Sequence, residues 1–325
     1  MASTQDEDKI REIAKKINNS FGSFLVACGT ASHAALAGTY FFSKIAKKHI
    51  NFSVGSEFPL HKYFLTDRSL VIAISQSGET ADTLEAIEAA KENDAKIVSI
   101  VNVMGSSLMR KSDYAFLTKA GPEISVASTK AFTSQLSVLL LLAYACANKL
   151  EEGKRLLKYT SIQAKEMLTK EYLEKIKSLA GMLKDKQHIY VIGKGFNYPT
   201  ALETALKIKE VSYIHAEGFA SGELKHGVIA LVENGTPCIA IVANDEVKND
   251  VISGAIEMKS RGGYIIGISP ENNDAFDYWL PVLDAGNASP ILNVMPMQLL
   301  AYYLAVLRGT DPDYLKNLAK VITVK

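Results

Sequence analysis

Cysteine is scarce, net charge is nearly nil, and the most apolar run is too short to cross a bilayer. Each shortage removes a class of protein. Three cysteines, Cys28, Cys146 and Cys238, occur in 325 residues. An odd count without paired spacing argues against a disulfide framework or a zinc site and suits a reducing, cytoplasmic setting. Each sits in or beside an apolar run and reads as small buried filler. Basic residues number 36 and acidic ones 35, a net charge of +1. No global field therefore favours nucleic acid or a membrane surface, although a single loop can still bind an anion. The apolar segment "LSVLLLLAYACA" (Leu136–Ala147) falls well short of the roughly 20 residues of a membrane span and reads as a buried core helix. The start, "MASTQDEDKIREIAKKI", is charged and lacks the apolar stretch of a signal peptide.

What is present is a globular composition, 48% apolar and 22% charged, in a chain whose length suits two domains. The pattern runs twice. "SFLVACG" reads as a strand, "SHAALAGTYFFSKIAKK" as a helix, "SLVIAIS" as a strand buried on both faces, "TADTLEAIEAAKEN" as a helix and "KIVSIVN" as a strand. Later, "IYVIGKG", "YPTALETALKIKEVSY", "PCIAIVAND", "KNDVISGAIEMKSRG" and "YIIGIS" repeat the order, with "YIIGIS" as the last core strand. From Gly29 to Ser75 is 46 residues, and from Gly195 to Ala243 is 48. The close spacing indicates a duplicated α/β unit: two mainly parallel sheets, each flanked by helices in three layers, of flavodoxin-like type. The first unit is expected over 1–150 and the second over 185–325, joined by the charged, helix-prone stretch 151–184.

The copies differ after the second strand, where one has "SQSGET" and the other "ANDEVKN". In open α/β sheets ligands bind beyond the carboxyl ends of strands. Ser75, Gln76, Ser77 and Thr80 there offer hydroxyl and amide donors, Gly78 permits close backbone approach, and a helix start follows. A phosphate cradle and a capped turn both fit this pattern. Glu79 opposes an anion and should point away. Farther on, Ser128, Thr129 and Lys130 open the long apolar helix and read equally as a cap. Glu203, Lys207 and Glu210 fall on one helix face, as a surface ion-pair ladder or a buried functional group. His215 and His226 lie in no recognised metal spacing, so acid–base chemistry is favoured over a metal pair. None of these patterns calls for a cofactor. Lys320, alone, reads as a solvated charge or a nucleophile.

Together "ACGT", "SQSGETADTLEA", "GSSLMRKSD", "EISVASTKAFTSQL", "YPTALETALKIKEVSYIHAE", "GELKHG", "PMQLLAY" and "NLAKVITVK" resemble the sugar-isomerase (SIS) domain superfamily. More closely, they are similar to the isomerase half of the glutamine–fructose-6-phosphate aminotransferase family. The resemblance implies two SIS subdomains and a homodimeric enzyme acting on a hexose 6-phosphate. It implies that Ser75, Gln76, Ser77 and Thr80 bind the phosphate, and that Cys28, Gly29, Thr30, Val126, Ser128 and Ala319 line the sugar pocket. Glu210 is implied as the base that moves a proton between C1 and C2, assisted by Lys207 and Glu203. His226 would open the sugar ring from the neighbouring subunit, and Lys320 would form a Schiff base with the open-chain ketose.

Three departures qualify that resemblance. Ala31 follows "CGT" where the family often has serine, which removes one hydroxyl from the phosphate side. Leu315–Lys316 stands where proline–arginine usually precedes "NLAK". Ala2 follows Met1 where the family's glutaminase begins with a nucleophilic cysteine, so no glutaminase is expected in this chain, and nitrogen would come from free ammonia or a glutaminase partner. A stand-alone glucosamine-6-phosphate deaminase or related amino-sugar isomerase is the alternative enzyme. A sugar-phosphate sensor would need the loop but not Glu210, His226 and Lys320, and no helix-turn-helix for DNA is recognisable.

Overall fold

The computed structural model describes residues 4–320, so the tail beyond Lys320 lies outside the described residues. The chain divides into two compact units, residues 1–158 with 318 onward, and residues 159–317.

The first unit contains α1 (Thr4–Asn19), β1 (Ser23–Ala27), α2 (Gly29–Phe41), β2 (Asn51–Val54), β3 (Leu70–Ser75), α3 (Ala81–Lys91), β4 (Lys96–Val101), α4 (Ser107–Lys111), β5 (Tyr114–Leu117) and α5 (Lys130–Cys146). Its strands are all parallel, in the order β2-β1-β3-β4-β5. Every residue of β1 and β3 is buried, as strands covered by helices on both faces must be. On one face Phe24, Val26, Val71, Ala73, Ile97 and Val101 pack against Ala86, Ile87 and Ala90 of α3. Sequence connections leave β1 toward β2 on one side and return to β3 on the other. The carboxyl ends of β1 and β3 therefore flank the topological switch point, where such sheets bind ligands.

α6 (Leu150–Met167) leads into the second unit, which contains α7 (Lys170–Leu183), β6 (His188–Gly193), α8 (Tyr198–Ser212), β7 (His215–Ala220), β8 (Pro237–Ile241), α9 (Lys248–Lys259), β9 (Tyr264–Ser269), β10 (Tyr278–Pro281) and α10 (Ser289–Leu307). Its strand order, β7-β6-β8-β9-β10, is that of the first sheet, again all parallel. The duplication extends to single residues. Gly29 and Gly195 follow the first strand of each copy with φ of +54° and +58°, a left-handed conformation that favours glycine.

The α/β fold with two similar parallel sheets is as expected, and two details differ. "YIIGIS" (β9) is not the last strand, because β10 adds to that edge of the sheet. The segment "HAE", read for its charges, begins β7. Within 151–184, α7 packs against α10 of the second unit. One described helix, Gly286–Leu307, is long and apolar enough to cross a membrane by length and composition, yet 61% of its apolar 18-residue stretch is buried inside the protein.

Candidate active site

β3 ends at Ser75, and the chain turns through residues 76–80 into α3. Ser75 is buried, and its Oγ accepts the Gly78 N–H at 2.9 Å and lies 3.2 Å from Thr80 Oγ1. Ser77 is also buried, and its Oγ accepts the Glu79 N–H at 3.2 Å. These serines use lone pairs on the backbone. Of the three hydroxyl protons, one serves the Ser75–Thr80 bond and two remain to be donated. A phosphate oxygen, which only accepts, requires that polarity. A capped turn would use Thr80 on the helix start, yet its hydroxyl makes no capping bond to α3.

The loop is held rigidly. The Gln76 carbonyl accepts the Asn102 N–H at 3.1 Å and the Gly78 carbonyl accepts the Leu108 N–H at 2.9 Å. Gly78 has φ +68°, and a Cβ there would lie 2.2 Å from Ser106 Oγ. That Ser106 hydroxyl is buried and has no hydrogen-bond partner among the described residues. Glu79 turns away, its carboxylate accepting the Ser107 N–H at 2.7 Å at the start of α4. The Ser107 backbone N–H, then its side chain and Arg110, hold Glu79 below the usual carboxylate value.

β1 pairs with β3, so Cys28, Gly29 and Thr30 come off the sheet beside this loop. Cys28 is half-buried, with Sγ 3.5 Å from Thr83 Oγ1 in α3, Thr30 is half-buried and Gly29 exposed. The other two thiols are sealed away. Burial pushes Cys146 and Cys238 up to about 12, which leaves them inert at neutral pH.

The same unit holds the segment before α5. Val126 and Ser128 are half-buried. Glu123, only 9% exposed, accepts the Thr129 N–H at 2.7 Å, the Ala131 N–H at 3.3 Å and the Ser128 hydroxyl at 3.0 Å. A carboxylate is thus placed at the positive end of a 17-residue helix. Half-buried Lys320 donates from Nζ to the Ser125 carbonyl, and Ala319 beside it is exposed.

In the second unit, α8 packs against α10, β6 and β7. Glu203 is 0% exposed, Lys207 2% and the Glu210 side chain 21%. Lys207 Nζ lies 3.4 Å from Glu203 Oε1 and donates to Glu210 Oε2. Burial alone would pull the lysine down, but Glu203 and Glu210 outweigh it and hold its pKa above the ordinary 10.5. A surface ladder is excluded by this burial. His226 ends the short turn Leu224–His226 and is exposed. His215 is on the edge strand β7 and meets His188 of β6, Nδ1 to Nδ1 at 3.2 Å.

Two participants were not legible in the sequence. Glu123 stands six residues before Thr129, not at the spacing by which a cap is recognised. The Ser125 carbonyl, as a backbone atom, leaves no mark on residue type.

Comparison with known proteins identifies the family and the fold. The SIS domain family matches residues 17–145 and 182–308. A glutamine–fructose-6-phosphate aminotransferase (isomerizing) of Thermococcus kodakarensis is 45% identical over 97% of this chain and 54% of its own length. The chain thus spans about half the length of the curated relatives it matches. The solved C-terminal domain of glucosamine–fructose-6-phosphate aminotransferase from Francisella tularensis is 38% identical, with a TM-score of 0.84 over 93% of this chain and 88% of that one. The solved glucosamine-6-phosphate deaminase from Thermotoga maritima is 25% identical, with a TM-score of 0.76 over 98% of both chains.

Proposed function

The chain belongs to the SIS domain family, among the isomerase domains of glutamine–fructose-6-phosphate aminotransferases, and on that footing we propose that it interconverts aldose and ketose hexose 6-phosphates. Supplied with ammonia, it turns fructose 6-phosphate into glucosamine 6-phosphate. In this reading Ser75, Gln76, Ser77 and Thr80 bind the phosphate, and Cys28, Gly29, Thr30, Val126, Ser128 and Ala319 line the sugar pocket. Phosphate binding holds the remote reacting carbons in place. Lys320 leaves the Ser125 carbonyl, loses a proton and attacks the C2 carbonyl of the open-chain ketose, which expels water and forms an imine. Ammonia adds to the protonated imine at C2 and expels the Lys320 amine, which leaves a C2 imine carrying the new nitrogen. That protonated imine withdraws electrons from C1, so that a carboxylate can remove the C1 proton. Glu210 takes that proton and returns one to C2, with Lys207 and Glu203 beside it assisting hydroxyl proton transfers.

One observation carries the reading. Of the three charged groups Glu203, Lys207 and Glu210, Glu210 alone keeps appreciable exposure, 21% against 0% and 2%. A carboxylate with one free face and a buried cation behind it suits a base that must reach a ligand. The test is borohydride trapping of fructose 6-phosphate, followed by mass spectrometry. Wild type should gain one sugar phosphate on Lys320 and Lys320→Arg none. Trapping that survives in Lys320→Arg would sink the Schiff-base role.

His226 serves ring opening, and it acts from the neighbouring subunit of a homodimer. Nitrogen comes from free ammonia or from a glutaminase domain or partner. The setting is the cytosol, which suits three free cysteines. A second reading, a glucosamine-6-phosphate deaminase, is favoured by the full-length match to the Thermotoga maritima deaminase. It would run the amination in reverse with the same residues.

A further inference from the structure

We propose that Glu123 is a positioning residue that sets the hydrogen-bond polarity of Ser128, so that the Ser128 hydroxyl meets the sugar as an acceptor. The inference rests on the reading of Ser128 as a sugar-pocket residue and goes beyond it by assigning which partner supplies the proton. The carboxylate of Glu123 has only acceptors to offer. Its Oε1 is taken by two backbone donors, Thr129 N–H and Ala131 N–H, and its Oε2 by Ser128 Oγ. The Ser128 proton must therefore lie on the Glu123 side. A hydroxyl has one proton and two lone pairs, so Ser128 presents lone pairs to anything else that approaches it.

The phosphate loop is wired the opposite way. Ser75 and Ser77 accept from backbone N–H groups, and two of the three hydroxyl protons of Ser75, Ser77 and Thr80 remain to be given. One end of the ligand would thus meet donors, as a phosphate needs, and the Ser128 contact would meet an acceptor, as a sugar hydroxyl needs. A carbonyl, ether or fluorine in place of that hydroxyl would oppose lone pair to lone pair. Such a mispaired polar contact weakens binding by about tenfold or more.

Glu123→Gln separates polarity from structure. The glutamine carbonyl can still accept from Thr129 and Ala131, so the helix start keeps its partner. The amide nitrogen then faces Ser128 and donates to it, which turns the serine proton outward. The test is calorimetric titration with fructose 6-phosphate of wild type, Glu123→Gln, Ser128→Ala and the double variant. Inorganic phosphate serves as a second probe and thermal melting as a check on the helix start. Glu123→Gln should bind fructose 6-phosphate about tenfold more weakly, with phosphate affinity and melting little changed. In the Ser128→Ala background it should add no further loss, because the two act through one contact. An equal loss with and without Ser128, or unchanged binding by Glu123→Gln, would overturn the proposal. Failure of wild type to bind fructose 6-phosphate would instead overturn the functional reading, and this inference with it.

A second measurement needs no change at Glu123. Among monodeoxyfluoro analogues of fructose 6-phosphate, one should bind wild type about tenfold more weakly than the parent sugar while Ser128→Ala barely distinguishes the two, since fluorine cannot donate. If no analogue shows that dependence on Ser128, the acceptor role is wrong.

Discussion

Lys207 shows how much depends on single side chains. It is 2% exposed and closed between Glu203 and Glu210. An isolated ammonium could not stay charged at that depth, and the two carboxylates reverse the effect of burial. Removing the cation would take the positive charge from beside the buried Glu203 carboxylate. Lys207→Met is therefore expected to lower stability by about 3–5 kcal/mol, read by urea denaturation at neutral pH; a loss near zero would contradict the pairing. The sign with pH follows from the direction of the shift. A lysine whose folded pKa is raised gives stability that is complete below the ordinary 10.5 and is lost as pH climbs through the higher folded value. Wild type should thus lose this contribution only in strong alkali, and the variant should lack that alkaline drop. Charge spacing on one face of α8 was legible in the sequence. Its burial was not, because burial depends on α10, which arrives some 80 residues later in the chain and packs on α8.

At the scale of elements, the two copies differ in the loops after β3 and β8. In the second copy, Asp245 Oδ1 accepts the Val247 N–H at 3.1 Å, an ordinary side-chain-stabilised turn. In the first, Ser75 and Ser77 accept backbone N–H groups of the loop, and Gly78 takes φ +68° against Ser106. Gly78→Ala would add a left-handed alanine, at a cost of about 1–2 kcal/mol, and a Cβ 2.2 Å from Ser106 Oγ. The expected result is a large rise in KM for phosphorylated sugars, while Asp245→Ala leaves KM unchanged. Equal effects from both would deny the first loop its special role. The central strands β1, β3, β4, β6, β8 and β9 could be read from apolar runs, because helices bury both their faces. The edge strands β2, β5, β7 and β10 could not. They are short or half-exposed, and segments such as "NFSV" and "HAEGFA" carry no continuous apolar signal.

At the scale of the whole molecule, the proposed chemistry is divided between two copies of one fold. The hydroxyl-rich loop belongs to the first unit, and the paired carboxylates of α8 belong to the second. The proposed ring-opening residue, His226, is exposed on its turn. If it serves a neighbouring subunit, mixing His226→Ala with Lys320→Arg chains should restore part of the activity that each lacks alone. Mixtures as inactive as either parent would argue against sharing between subunits. The curated relatives are about twice as long as the matched region, and the proposed reaction needs only a nitrogen source from outside it. The most direct measurement is to incubate the protein with fructose 6-phosphate, with and without ammonium, and identify the products by NMR. The expected result is glucosamine 6-phosphate in the presence of ammonium, lost in Glu210→Gln. Fructose 6-phosphate recovered unchanged in both conditions would contradict the account.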